Sequence, residues 1–247
     1  MTLYLTIATI ALLGLWLAAE RLRPAFSSGQ GGGRIVRNVL LGVVGLGATF
    51  AIVTPVSLTA AQFGAPWRET WPMWVRVLTD LFILEFFIYW WHRANHEVPF
   101  LWRFHRVHHY DGFLDVTSAL RFHPGEVILS ALVRGVYVLL FDVSVPAILI
   151  FDAAVVIAAG FHHSNLRLGQ KADDVLRKVV VSPDHHRIHH IPERRYTDSN
   201  YGTLTTFFDR FFGSYEEAPR KGAYGVEGAE DKPFTDLMTD PFRSPST

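Results

Sequence analysis

The chain has 247 residues, of which 49% are hydrophobic and 19% are charged, and its formal net charge is zero. A soluble domain carries about 25% charged residues, so the low charge indicates a membrane protein. The neutral balance gives no support to nucleic-acid binding, which usually needs a basic face. The absence of cysteine excludes disulfides, thiolate zinc sites, iron–sulfur clusters and cysteine nucleophiles, so any metal must bind to nitrogen and oxygen.

Three apolar runs occupy the first third of the chain. Residues 1–19 carry no charged side chain, which predicts one bilayer crossing. Because a basic start is missing, we interpret this run as a retained helix and not as a cleaved signal peptide. Residues 38–67 are also uncharged and long enough to span with a tilt or a kink near Pro55. The third run, residues 71–91, is interrupted by three charged residues, one of which is Glu85.

The charges of the loops predict the orientation of these runs. The loop after the first run carries Arg21, Arg23, Arg34 and Arg37, whereas the loop after the second carries only Arg68. Basic loops are retained in the cytoplasm. The first loop is therefore predicted to be cytoplasmic, and the third run to end on the same side of the membrane.

A further apolar block covers residues 126–161. Asp142 and Pro146 divide it into two arms of about 16 residues, each roughly 24 Å long as a helix. This pattern predicts a helical hairpin that returns the chain to the membrane face it left. Arg134 and Asp152 lie on opposite arms, and we expect them to pair with each other or with another helix.

These elements predict an all-α fold, an integral-membrane bundle of about four to five apolar helices that comprises three spans and the hairpin. Residues 1–165 are expected to form the transmembrane region with the first histidine motifs. Residues 166–247 are expected to form a cytosolic helical cap, which carries the last histidine motif and holds a di-metal site.

All twelve histidines lie between His92 and His190. They form one HxxxH motif and two HxxHH motifs, and residues at i, i+3 and i+4 share one face of a helix. Each HxxHH motif is therefore expected to present three imidazoles to a single point. Ser182 and Pro183 predict the start of a short helix that carries the last motif.

Neutral imidazole is a ligand for zinc, iron, copper and nickel, and the number of histidines exceeds the need of one ion. Two ions with four or five nitrogen ligands each would use ten of them. We interpret His162 and His185 as lying outside this set. The ten predicted ligands are His92, His96, His105, His108, His109, His123, His163, His186, His189 and His190.

Three classes of function fit such a site. Two neighbouring metals suit two-electron chemistry with dioxygen. They also suit hydrolysis, but hydrolytic metal pairs usually share bridging carboxylates, which these motifs lack. A non-enzymatic metal transporter or store would place its ligands near the bilayer midplane, whereas these histidines lie at the predicted cytoplasmic ends of the spans.

The order and spacing of the motifs resemble the fatty acid hydroxylase / sterol desaturase superfamily of integral-membrane di-iron enzymes, over residues 82–215. The segments that carry the resemblance are YWWHRANH (89–96), HRVHH (105–109), RFHPGE (121–126), FHHSN (161–165), SPDHHRIHH (182–190), NYG (200–202) and DRFFG (209–213). The family often has Trp before its Asp-Arg-x-Phe-Gly segment, where this chain has Phe208. In the family the boxed histidines bind two metal ions, while the ligand role of the histidine at His123 varies.

The resemblance implies an oxygenase with two iron ions, for which zinc is a possible substitute. Such an enzyme hydroxylates or desaturates an unactivated C–H position of a lipid, with dioxygen and two electrons. Because no segment resembles a cytochrome b5 domain, the electron donor is expected to be a separate protein. Sterols, fatty acyl chains, sphingolipids, carotenoids and alkylglycerols remain open as substrates, and a bacterial inner membrane is favoured over the endoplasmic reticulum.

Polar residues near the motifs are candidates for orienting the ligands. Glu85, Tyr89, His92 and His96 are spaced 4, 3 and 4 apart and so form one stripe on the third helix. We expect Glu85 or a neighbouring acid to orient a ligand imidazole, the alternative being an ion pair with Arg76 or a contact with another helix. Asn165 is expected to hydrogen-bond near the site or to cap a helix.

Overall fold

The computed structural model describes residues 2–27, 31–218 and 224–243. Over these ranges the secondary structure is helical, apart from isolated β-bridges. The predicted all-α class is confirmed. The long helices are α1 (Thr2–Leu22), α2 (Gly32–Ala48), α3 (Thr54–Phe63), α4 (Met73–Glu97), α5 (Pro99–His109), α6 (Pro124–Leu140) and α7 (Val145–His163). The short helices are α8 (Gln170–Leu176), α9 (Pro183–His189), α10 (Arg194–Thr197), α11 (Phe207–Phe211) and α12 (Phe234–Thr239).

Three described segments are long and apolar enough to cross a bilayer, namely Leu3–Leu22, Gly32–Phe63 and Val145–His163. The first two correspond to the first two predicted runs, and the third is the second arm of the hairpin. The third predicted run forms most of α4, which is long but interrupted by charge. The first hairpin arm forms α6, which has only 17 residues.

The second predicted span bends where the sequence places a proline. A five-residue π-helical turn, Thr49–Val53, separates α2 from α3, and Pro55 occupies the first turn of α3. Proline has no N–H and its ring crowds the preceding turn, so the helix widens there instead of continuing as a regular α-helix. The expected kink near Pro55 is therefore accommodated as a π-turn.

The hairpin that α6 and α7 form packs against α4 through a buried apolar cluster that includes Leu84, Val138 and Ile148. The two arms are also joined by the ion pair between Arg134 and Asp152, at 2.6 Å, which the sequence suggested.

Asp80 of α4 binds the tip of this hairpin from the side. It pairs at 2.7 Å with Arg68, and both side chains are fully buried. Its second oxygen accepts a hydrogen bond from the Ser144 backbone, while Arg68 donates to the carbonyl of Asp142. This network stabilises the end of the bundle away from the histidines.

The C-terminal segment covers the outer side of α5. Leu237 of α12 is buried against Leu41 and Val107. The start of α2 is tied to the loop after α5, because the buried guanidinium of Arg34 binds both Asp111 and Asp115. Elements from distant parts of the sequence therefore hold α5, which carries the first HxxHH motif, in place.

Candidate metal centre

Two short helices carry most of the histidines. α5 begins with Pro99 at its first turn, and the imidazoles of its HxxHH motif lie on its buried side. α9 begins as predicted, because the Ser182 hydroxyl accepts a hydrogen bond from the His185 backbone and Pro183 occupies the first turn. Proline at that position leaves no N–H unsatisfied, which favours a helix start there.

The structure gathers nine of the ten predicted ligands into two adjoining clusters, in each of which one donor atom per histidine lies within 4.8 Å of the others. The five-histidine cluster consists of His92, His96, His105, His109 and His189. The four-histidine cluster consists of His108, His163, His186 and His190. The clusters are in contact, since the rings of His109 and His190 are stacked with their centroids 4.4 Å apart.

Each HxxHH motif is divided between the two clusters and does not converge on a single point as the spacing suggested. The i and i+4 members stay together, as His105 and His109 do in one cluster and His186 and His190 in the other. The i+3 member, His108 or His189, belongs to the opposite cluster. The reason is angular: i+3 and i+4 differ by about 100° around the helix axis, so their rings reach different points once helices pack on both sides.

The spacing of the ring nitrogens and their lack of hydrogen-bond partners are those expected of metal ligands. In the four-histidine cluster, Nε2 of His163 lies 3.0 Å from Nε2 of His108 and 3.0 Å from Nε2 of His186. An imidazole nitrogen binds an ion at about 2.1 Å, so two ligand nitrogens on one ion are roughly 3 to 3.5 Å apart. In the five-histidine cluster, Nε2 of four members is buried and has no partner in the described ranges; these are His96, His105, His109 and His189. Buried nitrogens without partners are rare unless a ligand satisfies them, so the donor set fits bound metal.

Several imidazoles are oriented from behind by oxygen acceptors. Nδ1–H of His92 donates to the carbonyl of Tyr201 at 2.8 Å, and Nδ1–H of His189 donates to the carbonyl of Ser199 at 2.7 Å. With the proton on Nδ1, the lone pair of Nε2 faces the cluster.

The residue between these two carbonyls is Asn200, whose φ of +53° lies in the left-handed region that asparagine tolerates. Its side-chain oxygen accepts from the Glu216 backbone at 2.8 Å, and its amide donates to the Glu216 carbonyl at 3.0 Å. This conformation turns the carbonyls of Ser199 and Tyr201, on either side of Asn200, toward His189 and His92. In the sequence, Asn200 stood out as part of the NYG segment that carries the family resemblance.

One ligand candidate has a carboxylate behind it. Nδ1–H of His105 donates to Oε1 of Glu126 at 2.9 Å, and both groups are buried. Glu126 lies in the first turn of α6. The helical spacing of Glu85 to His92 predicted Glu85 or a neighbouring acid in such a role, and Glu126 was not among the candidates. The sequence feature that could have identified Glu126 is its position three residues after His123, in a segment that carries the family resemblance.

The three other polar candidates lie elsewhere. Glu85 accepts from the backbone of Thr205 at 2.8 Å, which ties α4 to the loop before α11. The Tyr89 hydroxyl lies 2.8 Å from that of Ser214, and its ring packs against Tyr201. Through these contacts both residues support the segment that orients His92.

Asn165 fastens the chain after α7 to the chain after α1. Its amide donates to the carbonyl of Phe26 at 2.8 Å, its side-chain oxygen accepts from the Phe26 backbone at 3.0 Å, and its own backbone donates to Glu20 at 2.9 Å. It acts as a loop clamp beside the site, not as a helix cap.

The remaining histidines lie outside both clusters. His123 is the N-cap of α6: Nδ1 accepts from the Gly125 backbone at 2.9 Å, and Nε2 lies 3.1 Å from the Met238 carbonyl. The ring of His162 packs against that of His186 at an interplanar angle of 45°, with ring centroids 4.1 Å apart. His185 stacks on Tyr215 and lies 3.9 Å from Asp209. Because both nitrogens of His123 already have backbone partners, we leave it out of the proposed ligand set.

Comparison with known proteins identifies the family that the sequence motifs resemble. The fatty acid hydroxylase family matches residues 77–214, which is more than half of the chain and includes all of the histidines. The chain belongs to the fatty acid hydroxylase family. The predicted oxygen-dependent lipid hydroxylase or desaturase is thereby confirmed at the level of the family.

The relatives of this chain are named for different lipids. Ornithine lipid hydroxylase OlsE of Rhizobium tropici is 27% identical over 250 residues, which cover 96% of this chain and 74% of that protein. Alkylglycerol monooxygenase of Danio rerio is 30% identical over 162 residues, covering 65% of this chain and 34% of that protein. Lathosterol oxidase of Homo sapiens is 27% identical over 171 residues, covering 69% and 53%. No solved structure matches the chain.

Burial sets the protonation of the clustered histidines. It lowers the pKa of five of these imidazoles well below the usual range near 6.5, and repulsion from neighbouring imidazoles lowers it further. The affected groups are His108, His109, His186, His189 and His190. These rings are neutral at pH 7, which is the form that binds metal.

A cavity of about 560 Å³ lies beside the two clusters. At one end it is lined by histidines of both, among them His105 and His163. From there it runs between α4, α6 and α7 as far as Tyr137 and Phe151. Eleven residues of α6 separate Glu126 from Tyr137, which is about 16 Å along the helix axis. The lining is mainly apolar, so the cavity suits an alkyl chain.

Proposed function

We propose that the chain is a membrane-bound di-iron oxygenase that hydroxylates an unactivated C–H position of a membrane lipid. The observation that carries this proposal is the opening of two adjoining all-nitrogen clusters into one apolar cavity. The overall reaction consumes one dioxygen, two electrons and two protons, inserts one oxygen atom into the C–H bond and releases one water. The electrons would come from a separate donor protein.

The nine clustered histidines would hold the metals, the five-histidine cluster one ion and the four-histidine cluster the other. Bound iron would supply the reduction of dioxygen that hydroxylation requires. The chain itself orients the imidazoles through Glu126 and through the carbonyls of Ser199 and Tyr201. The apolar cavity excludes water and places the alkyl chain against the histidines. Zinc is a possible substitute, because all-imidazole sites also bind zinc.

The two alternative functions fit the site less well. A hydrolase needs a polar substrate and usually bridging carboxylates, whereas both clusters consist of histidine alone and Glu126 contacts a ring nitrogen. A metal store or transporter does not need a long apolar cavity that ends at the ligands. Oxidation of a lipid by dioxygen would use both the histidine clusters and the apolar cavity.

The relatives suggest which lipid classes to test first. The relative that aligns with almost the whole chain is named for ornithine lipid, and the others for an alkylglycerol and a sterol. We propose an acyl or alkyl lipid with a polar headgroup, with hydroxylation favoured over desaturation. We also propose that the site faces the cytoplasm, on the basis of the loop charges, and that the host membrane is a bacterial inner membrane.

Metal analysis and oxygen uptake test this function together. We expect about two iron ions per chain and oxygen consumption that depends on reductant and on a lipid extract. A lipid profile of a deletion strain should then show one lipid class that lacks one oxygen atom relative to the wild type. Iron-loaded protein that consumes no oxygen, with an unchanged lipid profile, would rule the proposal out.

A further inference from the structure

The cavity contains one polar side chain next to the histidines whose hydrogen-bonding groups have no partner. Asn95 lies on α4, three residues after His92 and one before His96, and only 1% of its surface is exposed. It lines the cavity together with His92 and His105. Neither its amide nitrogen nor its side-chain oxygen has a hydrogen-bond partner in the part of the chain that the structure describes.

An unpartnered carboxamide in such a place is costly. A buried polar group that leaves water without a new partner destabilises the fold, and an apolar side chain of similar size would not. Asn95 is moreover not among the residues that form either histidine cluster. Its donor and acceptor are therefore available to a molecule in the cavity.

The direction of the cavity decides which part of a lipid reaches Asn95. The span Val145–His163 ends at His163, so the clusters lie at the level of a membrane surface. The opposite end of the cavity, at Phe151, lies 12 residues back along α7, about 18 Å deeper in the span. An alkyl chain that fills the cavity therefore points its terminal methyl group away from the histidines, and the polar end of the lipid lies beside them.

We infer that Asn95 is a specificity-determining residue, which binds a carbonyl or amide group of the lipid and directs oxidation to the carbons next to that group. The inference rests on the proposed function and adds a substrate feature and a position of attack. The amide of Asn95 would donate to a carbonyl oxygen, and its own oxygen would accept from an N–H. Both polar atoms of Asn95 are without a partner among the described residues, whereas Glu126 and Arg134, which also line the cavity, are each already bonded to another side chain. Oxidation in the middle of the chain would require the headgroup to move past the histidines and away from Asn95.

Two compounds of equal chain length separate this role from general hydrophobic binding. Hexadecanamide carries the polar group and hexadecane lacks it. Binding of each, in radiolabelled form, is measured to the purified zinc-loaded protein in lipid nanodiscs, with empty nanodiscs as background. We expect wild type to prefer hexadecanamide by about tenfold, and Asn95→Leu to lose that preference. Equal preference in wild type and Asn95→Leu would overturn the inference.

The variant also distinguishes this role from a structural one. Leucine fills the volume of Asn95 without an unpartnered polar group, so Asn95→Leu should fold and retain both metals. Ser130→Ala is the matched control, because Ser130 lines the same cavity but its hydroxyl already donates to the Val127 carbonyl. Ser130→Ala should keep the preference for the amide. Loss of metal from Asn95→Leu would overturn the inference in favour of a role at the metals.

The position of attack provides a second readout. With iron-loaded protein and reductant, wild type should hydroxylate hexadecanamide next to the carbonyl, and Asn95→Leu should give a spread of positions along the chain. A spread of positions with wild type would overturn the inference while leaving the proposed function intact. A preference for binding the amide without oxidation of any lipid would support the Asn95 site and contradict the proposed function.

Discussion

Glu126 and His105 are joined by a hydrogen bond of 2.9 Å between the carboxylate and Nδ1 of the imidazole, although 21 residues separate them in sequence. The bond fixes the proton on Nδ1 and leaves Nε2 free for metal. α6 thus contributes to the five-histidine cluster without supplying a ligand.

Replacing this carboxylate should weaken one metal site selectively. In Glu126→Leu, His105 loses the acceptor that orients it, and the affinity of the five-histidine cluster should fall about 10- to 100-fold. The four-histidine cluster has other supports and should keep its ion. Titration of metal-free protein with iron, followed by metal analysis, should show one tight and one weakened site.

Glu85→Gln is the control for that experiment. Glu85 is a partly buried acid, but it accepts from the Thr205 backbone and does not contact a clustered histidine among the described contacts. Glutamine can still accept that bond, so both sites should keep their affinity. If Glu85→Gln lost metal and Glu126→Leu did not, the assignment of the orienting acid would be wrong.

The division of the HxxHH motifs predicts that neighbouring histidines serve different ions. His108→Ala removes an imidazole from the four-histidine cluster, and His109→Ala removes one from the five-histidine cluster. Each variant should bind about one iron ion in place of two, and each should lose hydroxylation because both ions are required. Spectroscopy of the iron that remains should differ between the two variants, since a different cluster survives in each.

The double variant His108→Ala/His109→Ala completes the comparison. It should bind less than one ion per chain, because both clusters have lost a ligand. A single variant that empties both sites, or spectra that are identical in the two single variants, would contradict the separation into two clusters.

Much of this site could be predicted from sequence because it depends on local rules. The start of α9 follows from Ser182 and Pro183, and the helical spacing of the histidines follows from their motifs. The assignment of each histidine to a cluster could not be predicted, because it depends on which helices pack on either side of α5 and α9. Glu126 was missed for the same reason, since its contact with His105 exists only once α6 is folded against α5.

His123 is the predicted ligand that lies outside both clusters. Its position in the HPGE segment suggested a ligand, but its side chain caps α6 and contacts the C-terminal segment. We expect His123→Ala to keep about two iron ions per chain and to lose about 1 kcal/mol of the free energy of unfolding, as for other N-caps. Metal analysis and thermal unfolding measure the two effects. A loss of one ion would restore His123 to the ligand set.

The buried imidazoles predict an acid-sensitive metal-free protein. The pKa of these imidazoles in the folded state lies below the usual 6.5. At a pH between the two values they are protonated in the unfolded chain and neutral in the folded one, so the unfolded chain binds more protons. The free energy of unfolding therefore keeps its full value above pH 6.5 and declines as the pH falls below it, by up to about 1.4 kcal/mol per pH unit for each histidine. Chemical denaturation of chelator-treated protein at pH 7, 6 and 5 should show this decline.

The matched variant for the pH series is His108→Leu/His109→Leu, which removes two of the titrating groups and keeps apolar volume. Its stability should decline less steeply with falling pH than that of the wild type. Parallel slopes would show that the acid sensitivity comes from other groups.

The fate of the oxygen atoms tests the proposed chemistry most directly. Iron-loaded protein is incubated with reductant and membranes of a deletion strain under isotopically heavy dioxygen, and the lipids are analysed by mass spectrometry. Oxygenation at the histidine clusters predicts one lipid class that gains one heavy oxygen atom, only with iron and reductant, and not in His108→Ala/His109→Ala. Label that comes from heavy water in place of heavy dioxygen, or a lipid product formed equally by the double variant, would contradict it.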